Sequence, residues 1–356
     1  MIMENYSSVK NTLLSLYSEI LISYQEDNDL SIMRKSMTFY EFIETKFDEF
    51  NTLCKSIDEK ELSAIMNNNF KGKCTKQRFL NAIHRITEKY IQILQYTYIG
   101  DLKSAVKYME ELMFNKNHLS QYLSDYYANY LEPIIESNIS LYRMRDVKKD
   151  EGRPDNCWHV PFVLRRNASL QRYNSNGHPC LYLADSEDTA SKELGSLVGD
   201  YNRWCSKYTI NKSENDKTSF SVFNLTIPSN ESILKENCGY TLLMWLLTYP
   251  LRLLCSMKVN DENCKFPDEY IFPQLYFHWR YLMKGYKCGD GFMYSSTKNP
   301  SGVNYVFPAQ YNSKYPPKYS DRQISKNLQK IFIASTPELY AEGVSKKVQT
   351  TQITEN

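Results

Sequence analysis

The sequence of 356 residues has little net charge and no long apolar run. Its 43 basic and 41 acidic residues leave a net charge of +2, which gives no electrostatic support for a nucleic-acid or membrane-surface partner. No stretch of about 20 consecutive apolar residues occurs, since the most apolar segment, 240–257, is interrupted by Pro250 and Arg252. We therefore expect no membrane span and no strong nucleic-acid signal.

Three further patterns are missing from the chain. The N-terminus lacks a basic segment followed by an apolar core and a small-residue cleavage site, so we expect no secretory signal. The nine cysteines include no Cys-x-x-Cys pair, and free thiols in a reducing cytoplasm are their simplest explanation. No Gly-x-Gly-x-x-Gly follows a predicted strand, which argues against a Rossmann fold, and no cluster of ligand residues predicts a metal site.

The first 135 residues have the apolar spacing of helices. Besides a helix near residues 13–21, this spacing predicts helices over 39–53, 75–98, 105–113 and 119–135, which favours a helical bundle. Arg78 and His84 have the Arg-x5-His spacing, which is similar to the motif of HEPN ribonucleases, where paired subunits would cleave RNA. A solvated arginine and a boundary histidine are the simpler explanation, so RNA cleavage is an alternative.

Strand patterns replace helix patterns after residue 138. Residues 139–145 alternate like a strand and place Arg143 and Arg145 on one face, either as surface charges or as a fork for phosphate oxygens. Further strands are predicted over 219–227, 290–297 and 303–307, and further helices over 241–257 and 268–284. The segment after 313 is polar, with weak potential for structure near 331–333, and its last dozen residues have the composition of disorder.

The segment 172–193 is predicted to form a turn, a short strand and the start of a helix. Turn residues come first, an apolar run of strand length follows over 180–184, and Ser186 is among the candidates for the helix N-cap. The helix would carry Glu193 on its second turn, so Tyr182 on the strand and Glu193 would face one cleft. An ordinary β-turn-α unit with a surface glutamate is the alternative.

Five segments, in the correct order, resemble the RES domain family, which is named for an Arg, a Glu and a Ser. They are Leu-Tyr-Arg at 141–143, Arg-x-Asn-x-x-Gly-x-Pro-x-Leu-Tyr-Leu-Ala at 172–184, the glutamate at 193, Glu-Tyr-Ile-x-Pro-Gln at 269–274 and Asp-Gly-x-x-Tyr-x-Ser at 290–296, followed by Asn304 and Phe307. The resemblance covers roughly half of the chain. It does not include the helical N-terminal part, and RES toxins are usually much shorter than this chain.

The resemblance implies an ADP-ribosyltransferase-like fold of the α+β class, with two small antiparallel sheets and helices. The expected organisation is a helical domain over 1–137, a RES domain over 138–312 and a polar tail over 313–356. RES toxins of toxin–antitoxin pairs degrade NAD⁺ by hydrolysis or phosphorolysis of the nicotinamide–ribose bond. A cytoplasmic toxin or defence effector is thus implied, with NAD⁺ as substrate and no metal. The helical part would sense a trigger, dimerise or bind a neutralising antitoxin.

The family's Arg and Glu fall on Arg143 and Glu193. Cleavage of the nicotinamide–ribose bond builds positive charge on the ribose, as in glycoside hydrolysis, and a carboxylate stabilises that charge. The resemblance therefore implies that Glu193 acts at C1′ or binds the ribose hydroxyls. Arg143 would hold the pyrophosphate, with Arg145 or Arg172 as helpers.

The remaining family positions fall on Tyr182 and Ser296. Tyr182 would stack on the nicotinamide or its ribose, and Ser296, with Ser295 beside it, would hydrogen-bond the nicotinamide amide or a ribose hydroxyl. The simpler explanations are that Arg172 shapes a turn and that Tyr182 belongs to the core. The acceptor is left open between water, phosphate, and a protein or nucleic acid. In a further alternative the RES-like half is inactive, and the helical half is a nuclease or an interaction module.

Overall fold

The computed structural model describes residues 6–22, 36–69, 75–114, 132–134, 139–211, 220–261, 263–282, 290–311, 313–318 and 320–341. The helices are α1 (Ser7–Ile22), α2 (Phe39–Ser56), α3 (Glu59–Asn69), α4 (Lys76–Tyr98), α5 (Leu102–Phe114), α6 (Glu187–Leu194), α7 (Asn230–Lys235), α8 (Gly239–Ser256), α9 (Ile271–Leu282) and α10 (Lys326–Ile331). The strands are β1 (Glu132–Ile134), β2 (Ser140–Lys148), β3 (Cys180–Ala184), β4 (Tyr201–Ile210), β5 (Phe220–Asn224), β6 (Gly291–Ser295), β7 (Val303–Pro308), β8 (Phe332–Ala334) and β9 (Glu338–Leu339). This mixture agrees with the predicted α+β class.

The described strands join into one sheet, in the order β1-β5-β6-β7-β3-β2-β4-β8, with β9 also paired to β4. The neighbours are antiparallel except for the parallel pair β5–β6. This differs from the two small sheets expected, because β7 pairs with β3 on one edge and with β6 on the other. Between β2 and β3 the pairing is limited to Tyr142 and Ala184, so the sheet splits beside that pair.

The helix predicted over 119–135 is wrong where the structure describes that segment. Residues 132–134 form strand β1 and pair with β5, with Pro133 opposite Ser221. Proline lacks a backbone N–H, which interrupts a helix but is tolerated in an edge strand, and β1 lies at the end of the sheet order. The rest of the predicted helix lies outside the described residues.

The segment expected to be a polar tail contributes α10, β8 and β9 to the fold. Strand β8 pairs with β4, and Tyr208 lies opposite Ala334. Leu328 and Phe332 are buried in one hydrophobic cluster with Tyr208. These few apolar side chains fix the segment to the sheet edge, although its overall composition is polar.

The N-terminal helices share a hydrophobic core with the second half of the chain. One cluster joins buried residues of α1 to α5 with α8, α9, Phe292 and Val306. The Tyr17 hydroxyl of α1 donates to the Trp245 carbonyl of α8 at 2.7 Å. Most residues of α8 are buried, and a helix that is apolar on all sides requires such cover.

A buried histidine connects the segment before β3 to the residue preceding α10. His159 is 1% exposed. Its Nε2 accepts from the backbone N–H of Ser325 at 2.9 Å, so Nδ1 carries the proton donated to the Val160 carbonyl at 2.8 Å. This arrangement requires a neutral ring, and burial lowers the pKa of His159 from 6.5 to about 4, with a smaller contribution from the charge of Arg143.

We expect the free energy of unfolding to fall as the pH is lowered from about 6.5 towards about 4, in part through His159. Between these pH values His159 is protonated in the unfolded chain and neutral in the folded chain. The free energy of unfolding therefore rises with pH. The loss is on the order of 3 kcal/mol. Urea unfolding of wild type and His159→Gln at pH 7, 5.5 and 4.5 measures it. Because other groups titrate in both proteins, the difference between them isolates His159, and identical pH slopes would contradict the prediction.

Candidate functional site

A cavity of about 530 Å³ lies where β2 and β3 separate, within the size range of small-molecule sites. Its walls come from β2, β3, β6, β7 and α6, from residues 169–172 and from the connection between α8 and α9. Of the predicted site residues, the structure brings Arg143, Arg172, Tyr182 and Glu193 together in the lining.

Glu193 is held on one carboxylate oxygen. Helix α6 begins at the N-cap Ser186, whose side chain accepts from the Thr189 N–H at 3.1 Å. At the other end of the helix, Glu193 Oε1 accepts from Ser296 Oγ at 2.6 Å and from Asn304 Nδ2 at 2.5 Å. No described residue donates to Oε2, so this oxygen can receive a ligand in the cavity.

Ser296 lies behind Glu193 and is outside the cavity lining. Its side chain is 0% exposed, and its Oγ accepts from the backbone N–H groups of Lys298 at 3.1 Å and Asn299 at 2.9 Å. With two N–H donors on Oγ, the hydroxyl proton is directed to Glu193. In this structure, therefore, Ser296 orients the carboxylate.

Two other predicted residues also lie outside the lining. Ser295 Oγ accepts from the Ile227 N–H at 2.9 Å and so connects β6 to the residues after β5. Arg145 is exposed on β2. Neither side chain is brought to the cavity with Arg143 and Glu193.

Arg143 spans the split in the sheet. Its Nη1 donates to the Tyr182 carbonyl of β3 at 2.9 Å. Burial lowers the pKa of the guanidinium, which nevertheless stays protonated because arginine does not lose its proton in proteins. Arg143 thus places a positive charge where β2 and β3 no longer pair.

Tyr182 is fixed at its hydroxyl by the turn before β3. The hydroxyl donates to Asn174 Oδ1 at 2.7 Å and accepts from the Tyr173 N–H at 3.3 Å. The same turn is held by Gln274 Nε2, which donates to the carbonyls of Gln171 at 2.9 Å and Asn174 at 3.1 Å. The ring of Tyr182 is therefore a rigid part of the cavity wall.

Arg172 connects this turn to the C-terminal end of α8. Its Nη1 donates to the carbonyls of Met257 at 2.9 Å and Cys255 at 3.4 Å, where a cation complements the helix dipole. The guanidinium carbon lies 5.2 Å from the centre of the Tyr270 ring, which is cation–π distance. Arg172 is buried, so it is a packed part of the cavity wall and also gives the wall a positive charge.

Arg203 holds the C-terminal end of α6. The sequence did not predict this role. Arg203 is 1% exposed and binds both carboxylate oxygens of Asp146, at 2.8 and 2.9 Å. It also donates to the carbonyls of Ser191 at 3.2 Å and Gly195 at 2.9 Å, on either side of Glu193. The sequence offers no local signal for this role, because Asp146 is 57 residues away.

Tyr294 and Asn304 also line the cavity, although sequence reasoning gave them no role. Burial and the charge of Glu193 raise the pKa of the Tyr294 hydroxyl well above its ordinary value, while Arg172 acts in the opposite direction. The hydroxyl therefore keeps its proton at neutral pH. Both residues belong to segments that carry the family resemblance, and that was the available signal.

The Arg-x5-His pair lies elsewhere. Arg78 and His84 are exposed on α4, and His84 Nε2 is 3.2 Å from Glu88 Oε1. Within the described parts of the chain, no three His, Cys, Asp or Glu side chains are grouped so that they would hold a metal ion. None of the helices in those parts is long and apolar enough to cross a membrane.

Comparison with known proteins gives a partial match to "Putative toxin YopC" of Bacillus subtilis (strain 168). The two sequences are 26% identical over 144 residues, which are 39% of this chain and 32% of that protein. The match therefore spans about a third of that relative's length. No family model matches the chain, and no solved structure matches it. Part of the chain is thus similar to a protein named as a toxin.

Proposed function

We propose that the protein is an NAD⁺-degrading enzyme of the RES type, which cleaves the nicotinamide–ribose bond and acts as a toxin. The charge pattern of the cavity carries this proposal. Among the described lining residues Glu193 is the single carboxylate, and it is accompanied by five cationic side chains: Arg143, Arg172, Lys258, Lys265 and Lys298. NAD⁺ has the complementary charges, with a cationic nicotinamide ring and an anionic pyrophosphate.

The fixed carboxylate suits the chemistry of this bond. As nicotinamide leaves, positive charge develops on the ribose, and a carboxylate beside C1′ stabilises it. Glu193 is held at Oε1 by Ser296 and Asn304, so little reorganisation is needed when that charge appears. Oε2 would face the ribose, and the cationic side chains would receive the phosphates.

The partial similarity to a protein named as a toxin supports a harmful activity. Loss of free NAD⁺ would stop growth of the cell that makes the protein. The same nicotinamide–ribose bond is broken whether the ADP-ribosyl group is transferred to water or to phosphate. The acceptor is therefore a separate question from the bond that is cleaved.

Incubation of the purified full chain with NAD⁺, with and without inorganic phosphate, tests the proposal. We expect release of nicotinamide, measured by chromatography. A requirement for phosphate would identify phosphorolysis, and release in both buffers would identify hydrolysis. No release in either buffer, together with no binding of NAD⁺ by calorimetry, would contradict the proposal.

Transfer of ADP-ribose to a macromolecule is a second candidate, favoured by the surface beside Glu193. Leu194, Leu197 and Val198 are exposed, Val198 at 64%, and Leu194 also lines the cavity. Exposed apolar side chains beside a site are typical of a surface that contacts another protein. Labelled NAD⁺ distinguishes the two candidates, because transfer moves the label onto protein or nucleic acid and hydrolysis leaves it in small molecules.

A further inference from the structure

We infer that Lys258 and Lys265, from the connection between α8 and α9, form a phosphate subsite with Arg172 and receive the phosphates of the substrate. The inference rests on the proposed function and deepens it. It identifies the residues by which the site would prefer a dinucleotide to a nucleoside with the same scissile bond.

The two arginines of the cavity each donate hydrogen bonds to backbone carbonyls. Arg143 uses Nη1 for the Tyr182 carbonyl, and Arg172 uses Nη1 for the carbonyls of Met257 and Cys255. Bidentate binding of an oxyanion needs two N–H groups on one edge of the guanidinium. Further cations in the cavity would add donors and positive charge for the phosphate oxygens.

The connection supplies two lysines to the cavity that Arg172 lines. Lys258 directly follows Met257, whose carbonyl accepts from Arg172, and Lys258 is half-buried in the cavity wall. Lys265 is exposed and lines the same cavity. A lysine ammonium on its flexible stem binds phosphate as a point charge and needs no fixed fork geometry.

The charged residues of this connection line two cavities. Its lysines, Lys258 and Lys265, line the cavity that contains Glu193. The described carboxylates of the connection, Asp261, Asp268 and Glu269, line a second cavity of about 240 Å³, which shares Cys264 and Pro267 with the first. With Arg172, the two lysines give the larger cavity a cationic lining on this side, and such a lining attracts anions.

Lys258 and Lys265 line the same cavity as Glu193. Tyr294 and Arg172 line it as well. A dinucleotide whose nicotinamide ribose lies at Glu193 would extend its phosphates towards Arg172, and from there towards Lys258 and Lys265.

Kinetics of the Lys258→Ala, Lys265→Ala and double variants of the full chain test the subsite. The substrates are NAD⁺ and nicotinamide riboside, which has the same glycosidic bond and no phosphate. For the double variant we expect KM for NAD⁺ to rise about tenfold with kcat within about twofold, the pattern of lost uniform binding. The kcat/KM for nicotinamide riboside should not change. Lys265→Arg should restore part of the affinity, and Lys235→Ala, which alters an exposed lysine of α7, is the matched control.

The outcomes separate the subsite from the proposed function. If wild type releases nicotinamide and the double variant keeps the wild-type KM for NAD⁺, the subsite is overturned and the function stands. If wild type releases no nicotinamide, the proposed function fails, and binding of ADP-ribose by calorimetry then decides the subsite. About tenfold weaker binding of ADP-ribose by the double variant would support it, and equal or undetectable binding by both proteins would overturn it.

Discussion

Glu193→Gln is expected to lower the rate of nicotinamide release by about 10³-fold or more. In the proposed reaction the variant lacks the negative charge that stabilises the positive charge developing on the ribose. The amide oxygen can still accept from Ser296 Oγ and Asn304 Nδ2, which both donate to Oε1. The variant should therefore fold normally and bind NAD⁺ within a few-fold of wild type. Chromatography of nicotinamide and calorimetry of NAD⁺ measure the two quantities.

Glu187→Gln is the matched control for this variant. It makes the same chemical change on the same helix, at a residue outside the cavity lining. Loss of a charge in the first turn of a helix costs up to about 1 kcal/mol through the helix dipole and should leave the rate close to that of wild type. Retention of more than about a tenth of the wild-type rate by Glu193→Gln would refute the role of the carboxylate, given the usual size of such effects.

Arg203→Met is expected to lower the free energy of unfolding by about 3–5 kcal/mol, the usual cost of removing one partner from a buried ion pair. The methionine fills a similar volume but leaves the Asp146 carboxylate without its bidentate partner. The carbonyls of Ser191 and Gly195 also lose a donor. Because these carbonyls flank Glu193, the variant should also lose activity at temperatures where it is still folded. Urea unfolding followed by circular dichroism measures the stability.

Arg166→Met controls for the loss of an arginine. Arg166 is exposed, and surface changes of this kind usually alter stability by less than about 0.5 kcal/mol. Asp146→Asn provides a second arm, since the combined variant should cost less than the sum of the single variants if the pair is coupled. A loss below about 1 kcal/mol for Arg203→Met would contradict the buried-pair argument.

Local chemistry made the central unit predictable. The strand predicted over 180–184 is confirmed as Cys180–Ala184, and the N-cap candidate Ser186 begins the helix that carries Glu193. An apolar run followed by a capping residue contains this information within about ten positions. The apolar segment predicted as a helix over 241–257 is likewise confirmed as Gly239–Ser256.

Contacts between distant positions were not predictable in the same way. Ser296 and Asn304 reach Glu193 across 103 and 111 residues, and no local pattern encodes that pairing. The continuity of the sheet depends on β7, whose two edges pair with strands from different parts of the chain. Strand β1 was mistaken for a helix because its three residues take their conformation from the partner strand β5.

The position of these anchors in the sequence has a consequence for synthesis of the protein. Translation proceeds from the N-terminus, so a ribosome completes α6 and Glu193 long before it reaches Ser296 and Asn304, 103 and 111 residues later. A growing chain therefore carries the carboxylate without the two side chains that hold it. A chain that ends before β7 lacks Asn304, one of the two donors to Glu193 Oε1, so the carboxylate acquires both of its hydrogen bonds only after that strand has been synthesised.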